Sequence, residues 1–297
     1  MSTDATSKIQ FVPPSDMALA DLAVVIVNWN VKALLEKNIE SVLQSGGTAR
    51  VRLIVVDNAS SDESVEMMQS RFPQLTIIAN TQNLGFAKAV NQGIKVGNAR
   101  HVLLLNPDMR VMPDALQRTI DELDADATIG VLGGKLLSAD GSVMPSVRRL
   151  PDIWSQLLIL LKIKYLFPSV MNRYLFVDFD YSERQDVPQV RGSYFAMSHV
   201  ALEKLGGLDE RYFIWFEEVD YCAQAVKAGL RVVFDPVIQA QDLVGRSFAQ
   251  RKRLWKQKQF SKSMQEYFEK WHPGWQAWLI GCCRPFVIAV AWIFDLL

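Results

Sequence analysis

Between Leu22 and Leu105 the chain alternates four times between short, solidly apolar runs and longer stretches where apolar residues recur every three or four positions. The runs are Leu22 to Val27, Val51 to Val56, Leu75 to Ala79 and Val102 to Leu105, mostly of β-branched residues. Runs without polar alternation read as strands covered on both faces. Between them Val31, Leu35, Ile39 and Val42 fall on one helical face, as do Phe86, Ala89, Val90, Gly93 and Ile94. Ser60 or Ser61 followed by Asp62 and Glu63 marks a helix start, where acids oppose the helix dipole. Strand-helix alternation with short connections predicts right-handed crossovers, hence an α/β fold with a Rossmann-like, mostly parallel sheet and helices on both faces.

Beyond Pro113 the pattern predicts a helix to about Asp124, a strand over Gly130 to Leu137 and a hairpin at Asp140-Gly141. A strand over Val187 to Ser198 around Gly192, a turn at Leu205 to Asp209 and a helix over Phe216 to Ala228 follow. Ile153 to Phe167 is strongly apolar with two lysines, unusual for a core helix and natural for one at a membrane surface.

Polar residues cluster where the four strands end. Asn28 and Asn30 follow the first, Asp57 and Asn58 the second, Asn80 and Asn83 the third, Asn106 and Asp108 the fourth. Turn chemistry accounts for part of this. All four sets nevertheless lie along one sheet edge, outside the carboxyl ends, where open α/β sheets bind ligands. Pro107 cannot continue the ladder, so Asp108 emerges at that edge, a candidate for holding a divalent cation against a phosphate-bearing substrate. No GxGxxG follows the first strand and no GxxxxGK[ST] occurs anywhere, so a dinucleotide is not expected. Phosphates would be held by a cation instead of a glycine loop.

A second acidic cluster, Phe216-Glu217-Glu218-Val219-Asp220, stands at a helix start. Dipole compensation accounts for one or two of its acids. On a helical wheel Val219, Cys222, Ala223 and Val226 form the apolar stripe; Glu217 points away from it and Glu218 borders it. Partial desolvation raises a carboxyl pKa toward that of a useful proton acceptor. Glu218 is therefore the first choice for a general base and Glu217 the second.

Composition narrows the field. With 297 residues, 49% hydrophobic and 22% charged, the chain is an ordinary globular protein. Lysines and arginines (32) balance acids (32), so overall charge gives no sign of a nucleic-acid partner, and none is expected. Three cysteines, Cys222, Cys282 and Cys283, supply no disulfide framework, which favours a reducing compartment. Neither a CxxC pair nor HExxH occurs, and His101, His199 and His272 stand outside every motif. Residues 1–20 lack a basic start and an apolar run, so they read as a disordered tail and not a secretory signal. Arg246 to Lys262 holds seven basic residues and no acid, followed by Trp271, Trp275, Trp278 and Trp292 among aliphatic residues. Arg284-Pro285 interrupts that last stretch, which favours an interfacial or re-entrant anchor over a full span. A contact with a second copy of the chain is the alternative.

Seven segments in order resemble glycosyltransferase family 2, the inverting transferases of the GT-A fold, and within it the bacterial rhamnosyltransferase-like branch. They are Val27-Asn28-Trp29-Asn30, Val55 to Ser60, Asn83-Leu84-Gly85-Phe86 through Gly93, Leu105 to Asp108, Arg191-Gly192-Ser193, Gly206 to Phe213 and Phe216 to Asp220. The resemblance implies a GT-A domain over 21–248, with a nucleotide-binding half (21–110) and an acceptor and catalytic half (111–248), ahead of a basic and apolar helical segment (249–297). It implies that Asp57 binds the nucleobase, with Asn28 and Gly85 beside it and Asn30, Asn83 and Asn106 completing the donor pocket. Asp108 matches the last acid of the motif that chelates Mg2+ or Mn2+ across the diphosphate. Glu218 falls where the family carries its aspartate base, and Gly192 would let the backbone approach the donor. The family commonly places a metal-ligating histidine before a Gly-x-Ser. Here Asp242 takes that place, before Gly245-Arg246-Ser247, and aspartate oxygen suits the same cations.

The implied activity is a metal-dependent inverting glycosyltransferase. It would move rhamnose or a similar sugar from a dTDP- or UDP-linked donor to a glycan or polyprenyl-diphosphate-linked hydroxyl in cell-surface polysaccharide synthesis. The expected location is the cytoplasmic side of a bacterial inner membrane, peripheral or shallowly inserted through the C-terminal segment. Two alternatives are a catalytically weak nucleotide-sugar-binding scaffold and a sugar-phosphate nucleotidyltransferase. The latter would want a glycine-rich basic loop after the first strand, where Asn28-Trp29-Asn30 stands instead.

Overall fold

The computed structural model describes residues 8–243 and 251–296. Strands β1 (Gln10–Phe11), β2 (Ala20–Asn28), β3 (Arg50–Asp57), β4 (Thr76–Ala79) and β5 (Ala99–Leu105) interleave with helices α1 (Lys32–Leu43), α2 (Ser64–Arg71) and α3 (Phe86–Gly97). There follow β6 (Met109–Val111), α4 (Ala115–Ala125), β7 (Ile129–Leu137), β8 (Val143–Met144), β9 (Val147–Arg148), α5 (Ile153–Leu160) and α6 (Pro168–Leu175). Next come β10 (Gln185–Asp186), β11 (Gln189–Val190), β12 (Tyr194–Met197), α7 (His199–Leu205), α8 (Glu217–Lys227) and β13 (Arg231–Asp242). The chain ends in α9 (Arg253–Trp271) and α10 (Gly274–Leu296).

The main sheet runs β1-β3-β2-β5-β12-β7-β13-β10, with β4 beside β3, β6 beside β13 and β8 beside β7. Strands β3, β2 and β5 pair in parallel, as the alternating pattern predicts. The hairpin at Asp140-Gly141 forms between β7 and β8, which pair antiparallel. Strand β12 lies antiparallel between β5 and β7 and joins the two halves into one mixed sheet. One apolar core packs α1, α2 and α4 on one face; a second packs α3, α7 and α8 on the other. Gly93 is small for a packing reason, since a Cβ there would lie 2.5 Å from Cγ1 of Val25, where α3 presses on β2.

A third core joins α5, the start of α8, α9 and α10 around Tyr212, Phe216, Tyr267 and Phe268. The expected boundary at 248/249 falls within residues 244–250, outside the described residues. Beyond it the C-terminal helices share this core with the preceding domain and do not form a separate body. Buried Asp220 accepts from Lys270 Nζ (2.8 Å) and Trp271 Nε1 (2.7 Å), tying α9 to α8.

Several expectations are corrected. Residues 9–12 are not tail: Ile9 and Val12 are buried and β1 pairs with β3, because an apolar pair completes that strand's outer edge. Residues 1–7 lie outside the described residues. The strand expected over 187–198 is two, β11 and β12, broken at Arg191-Gly192-Ser193. The apolar stretch 153–167 is helical only to Leu160, then passes through a 3-10 turn at Lys164–Leu166. In α8 Val226 is exposed and Glu217 buried, the reverse of the wheel, because the third core covers the helix start. Helix α10 is unbroken through Pro285, and Arg284 donates to Gln265 Oε1 (2.6 Å) of α9 instead of interrupting it.

Candidate active site

The carboxyl ends of β2, β3 and β5 and the start of α3 meet at one cavity, lined in part by Asn58, Asn83, Gly85, Asn106, Asp108 and Asp242. Its floor is a hydrogen-bonded lattice. Asp57, buried, accepts from Asn28 Nδ2 (2.8 Å) and from the Ser60 amide (2.8 Å), which fixes the turn after β3. Asn58 Oδ1 accepts from Asn80 Nδ2 and from the Leu84 amide, while Asn58 Nδ2 donates to the Gly85 carbonyl (3.0 Å). Asn83 Oδ1 accepts from the Gly85 amide (3.0 Å). At Gly85 φ is +90°, and a Cβ would lie 2.7 Å from the Phe213 carbonyl, so only glycine fits between the α3 start and the 213 loop. Asn28 Oδ1 is buried with no partner, which leaves one acceptor beneath the cavity for a ligand or water.

Not every expected donor residue faces this cavity. Asn30, at φ +52°, accepts from the Ser61 amide and lines a neighbouring groove with Lys32, Asp62 and Arg110. Asp57 and Asn28 sit below the lining and hold it in place; the group presented to the cavity after β3 is Asn58.

Two carboxylates border the cavity together. Asp108 is 6% exposed and Asp242 2% exposed. The Leu243 amide donates to the Asp108 carbonyl (3.0 Å) and Asp242 pairs with Met109 in the β13–β6 ladder, so the two chain segments run side by side. Arg191 Nη1 lies 3.2 Å from Asp242 Oδ2. Among the described residues no three His, Cys, Asp or Glu side chains cluster as a metal site. A cation held here takes two carboxylates at most and completes its shell with water and phosphate oxygens, a donor set that suits Mg2+. The residues therefore fit a divalent cation that arrives with a diphosphate. Gly245 and Ser247 lie outside the described residues.

Glu218 lines a different cavity, with Arg148, Gln156, Lys164, Trp215 and Phe216 among its neighbours. Asp108 and Glu218 thus share no single pocket. The wall between them is Arg191-Gly192: Arg191 lines the donor cavity, and the Glu218 side chain lies 3.4 Å from where a Gly192 Cβ would stand. Oε2 of Glu217 and Oε2 of Glu218 are each buried without a hydrogen-bond partner. Burial pushes the Glu218 carboxyl up, opposed by its own amide and by the charges of Arg148 and Arg191. Burial, then the neighbouring Glu218 charge, pushes Glu217 well above the usual carboxyl range. Trp215 and Phe216 precede this pair at φ +66° and +72°, strained values for bulky side chains.

Among the lining residues that sequence reasoning missed, beside Asn58, are Arg191, Trp29, Trp255 and Arg251. Arg191 carried no signal beyond its motif. Trp29, Trp255 and Arg251 form a cap in which the Arg251 guanidinium sits 3.9 Å from the Trp29 ring centroid and 4.9 Å from that of Trp255. Trp29 stood within a motif and Arg251 within the basic run, but their meeting is a tertiary event.

The family described as glycosyl transferase family 2 matches residues 23–206. An N-acetylglucosaminyl-diphospho-decaprenol L-rhamnosyltransferase of Mycobacterium tuberculosis is 30% identical over 228 residues, 72% of this chain and 73% of the relative. A low-salt glycan biosynthesis hexosyltransferase of Haloferax volcanii is 24% identical over 241 residues, 80% of this chain and 70% of that one. The fold matches a mannosyltransferase from Pyrobaculum calidifontis in complex with GDP-Man and Mn2+ at a TM-score of 0.57 and 18% identity, over 94% of this chain and 74% of that one.

Proposed function

This chain belongs to glycosyltransferase family 2, with a GT-A fold and a rhamnosyltransferase-like relative, and from that premise we propose an inverting transfer. A sugar passes from a nucleoside diphosphate, dTDP-L-rhamnose or a UDP-sugar, to a hydroxyl of a lipid-borne diphosphate acceptor. The mycobacterial relative is named for such an acceptor. The observation that carries the reading is the division of carboxylates across Gly192. Asp108 and Asp242 border the donor cavity, while Glu218 stands beyond the Arg191-Gly192 wall with its pKa raised.

In this reading Asn58, Asn83, Gly85 and Asn106 line the nucleotide's place, and Asp57 with Asn28 holds the base-side turn. Asp108 and Asp242 would hold Mg2+ or Mn2+, which when bound would supply positive charge against the departing diphosphate. Arg191, now on Asp242, is positioned to add a second positive charge there. Gly192 allows the sugar to approach the backbone. Glu218 Oε2 takes the acceptor proton as the oxygen attacks the anomeric carbon from the side opposite the leaving group, so configuration inverts. Glu217, more deeply buried, keeps its own proton. We place the protein on the cytoplasmic face of the membrane, lying shallowly in it. Helix α10 is the one described helix long and apolar enough to cross, but lysine-bearing α9 shares the third core with it, which buries Ala277, Ile280 and Val287.

The test is nucleoside diphosphate release across a panel of nucleotide sugars, with Mn2+ or with chelator, in the presence of a GlcNAc-diphosphate-polyprenol acceptor. Metal-dependent release with an inverted product anomer is expected. Donor binding without turnover under any condition would favour the scaffold reading.

A further inference from the structure

Behind the Glu218 cavity lies a second hollow, and the two share Trp215 and Phe260 as common wall. The hollow's remaining lining is Lys162, Arg253, Lys256 and Gln257. Three cations therefore converge on one recess from two elements remote in sequence, the turn after α5 and the first turn of α9. Lys162 is held at φ +60°, its amide donating to the Ile159 carbonyl (3.2 Å), so the turn is fixed in place. None of the three makes an ion pair among the described residues, whereas lysines and arginines elsewhere pair repeatedly with acids. Asp295 caps this helix, its carboxylate accepting the backbone amides of Arg253 (3.2 Å) and Leu254 (2.9 Å). Lys162 and Arg253 are exposed and Lys256 is half-buried, so the three present one sign of charge to whatever enters the recess, which favours an anion there.

The surroundings say which kind of anion. The segment that carries Lys162 also exposes Trp154 (64%), Tyr165 (80%) and Leu166 (71%). Helix α10, which meets α5 in the third core, exposes Trp278 and Phe286. Aromatic and aliphatic side chains beside cations are the composition of a membrane interface. An anion that must reach Glu218 and also carries an apolar tail is a lipid-linked diphosphate.

We infer that Lys162, Arg253 and Lys256 form the subsite for the acceptor's diphosphate. Trp215 stands between that group and the sugar whose hydroxyl faces Glu218. The inference rests on the lipid-borne acceptor reading above and adds to it the residues that select for phosphate.

The test compares the native protein with the triple variant Lys162→Gln, Arg253→Gln, Lys256→Gln in detergent micelles, using two acceptors. One is GlcNAc-diphosphate on a short polyprenol; the other is a phosphate-free alkyl GlcNAc glycoside. The variant is expected to raise KM for the diphosphate acceptor at least tenfold. Its kcat, its donor affinity and its turnover of the phosphate-free glycoside should stay native. Unchanged KM for the diphosphate acceptor, or equal loss with both acceptors, overturns the subsite. Phosphatidylglycerol vesicles supply a third arm: lost vesicle binding with native diphosphate kinetics would assign the cations to the membrane surface and overturn it too. If the native protein uses only the phosphate-free glycoside, the lipid-borne acceptor reading itself fails, and the subsite with it. A single variant, Lys256→Gln, guards against misfolding of the triple one and should show a smaller rise in the same KM.

Discussion

Asp57 and Glu218 are both carboxylates in a protein interior, and they are treated in opposite ways. Asp57 has one oxygen on Asn28 and the other on the Ser60 amide. Glu218 keeps a buried oxygen with no partner, on a helix entered through two residues of strained backbone. The donor side is thus organised before any ligand arrives, its desolvation offset by hydrogen bonds made at folding. On the acceptor side that compensation is only partial: burial outweighs it, raises the carboxyl pKa and leaves one oxygen able to receive a proton. A binding pocket gains from being satisfied in advance, whereas a base gains from being left wanting.

The comparison breaks most sharply at Glu218. Changing Glu218→Gln removes the proton acceptor and should lower kcat by about 10²–10⁴-fold, the usual range for a lost general base. Initial-rate measurement of nucleoside diphosphate release checks this; a loss under threefold would move the base elsewhere. Next is the staple that fixes the acceptor side to the C-terminal helices. Asp220→Ala leaves Trp271 without its buried acceptor and Lys270 with Asp209 alone, and should cost about 1–3 kcal/mol in denaturant unfolding. On the donor side, Arg251→Ala removes the guanidinium between Trp29 and Trp255. Donor affinity should fall roughly fivefold, equivalent to about 1 kcal/mol of cation–π contact, with acceptor KM unmoved.

The smallest effect sharpens the comparison within the glutamate pair. If Glu217 keeps its proton, Glu217→Gln replaces like with like, and kcat should stay within about threefold of native, well short of a lost base. Stability should respond to pH. Both glutamates have folded-state pKa values above those of the unfolded chain. The folded state therefore holds protons that the unfolded chain has released, and their contribution is greatest below the ordinary glutamate pKa and declines as pH rises toward the shifted values. Glu217→Gln should thus raise the melting temperature at pH 8 relative to native protein, with the gain vanishing near pH 4. A gain independent of pH would mean the carboxyl is not titrating.

The alternating apolar runs made β2, β3 and β5 legible, and with them the sheet edge that gathers Asn58, Asn83, Asn106 and Asp108. Carboxyl ends lie at one edge whenever the strands are parallel, as strand-helix alternation makes them, so local pattern sufficed there. The acceptor side resisted the same reading. The wheel misjudged Glu217 because burial at the start of α8 comes from α5, α9 and α10, which sequence periodicity within α8 cannot register. The meeting of Arg251 with Trp29, and of Lys162 with Arg253, joins residues far apart along the chain. Arg284-Pro285 looked like an interruption, yet Gln265 on the neighbouring helix receives the charge and the helix continues.

The division of labour across Gly192 is tested most directly by calorimetric titration of the nucleotide-sugar donor, with and without Mn2+, into Asp108→Asn and Glu218→Gln in parallel. The account predicts that Glu218→Gln binds donor with native, Mn2+-dependent affinity, while Asp108→Asn loses the Mn2+-dependent part. Equal loss in both variants, or metal dependence that survives Asp108→Asn, would contradict it.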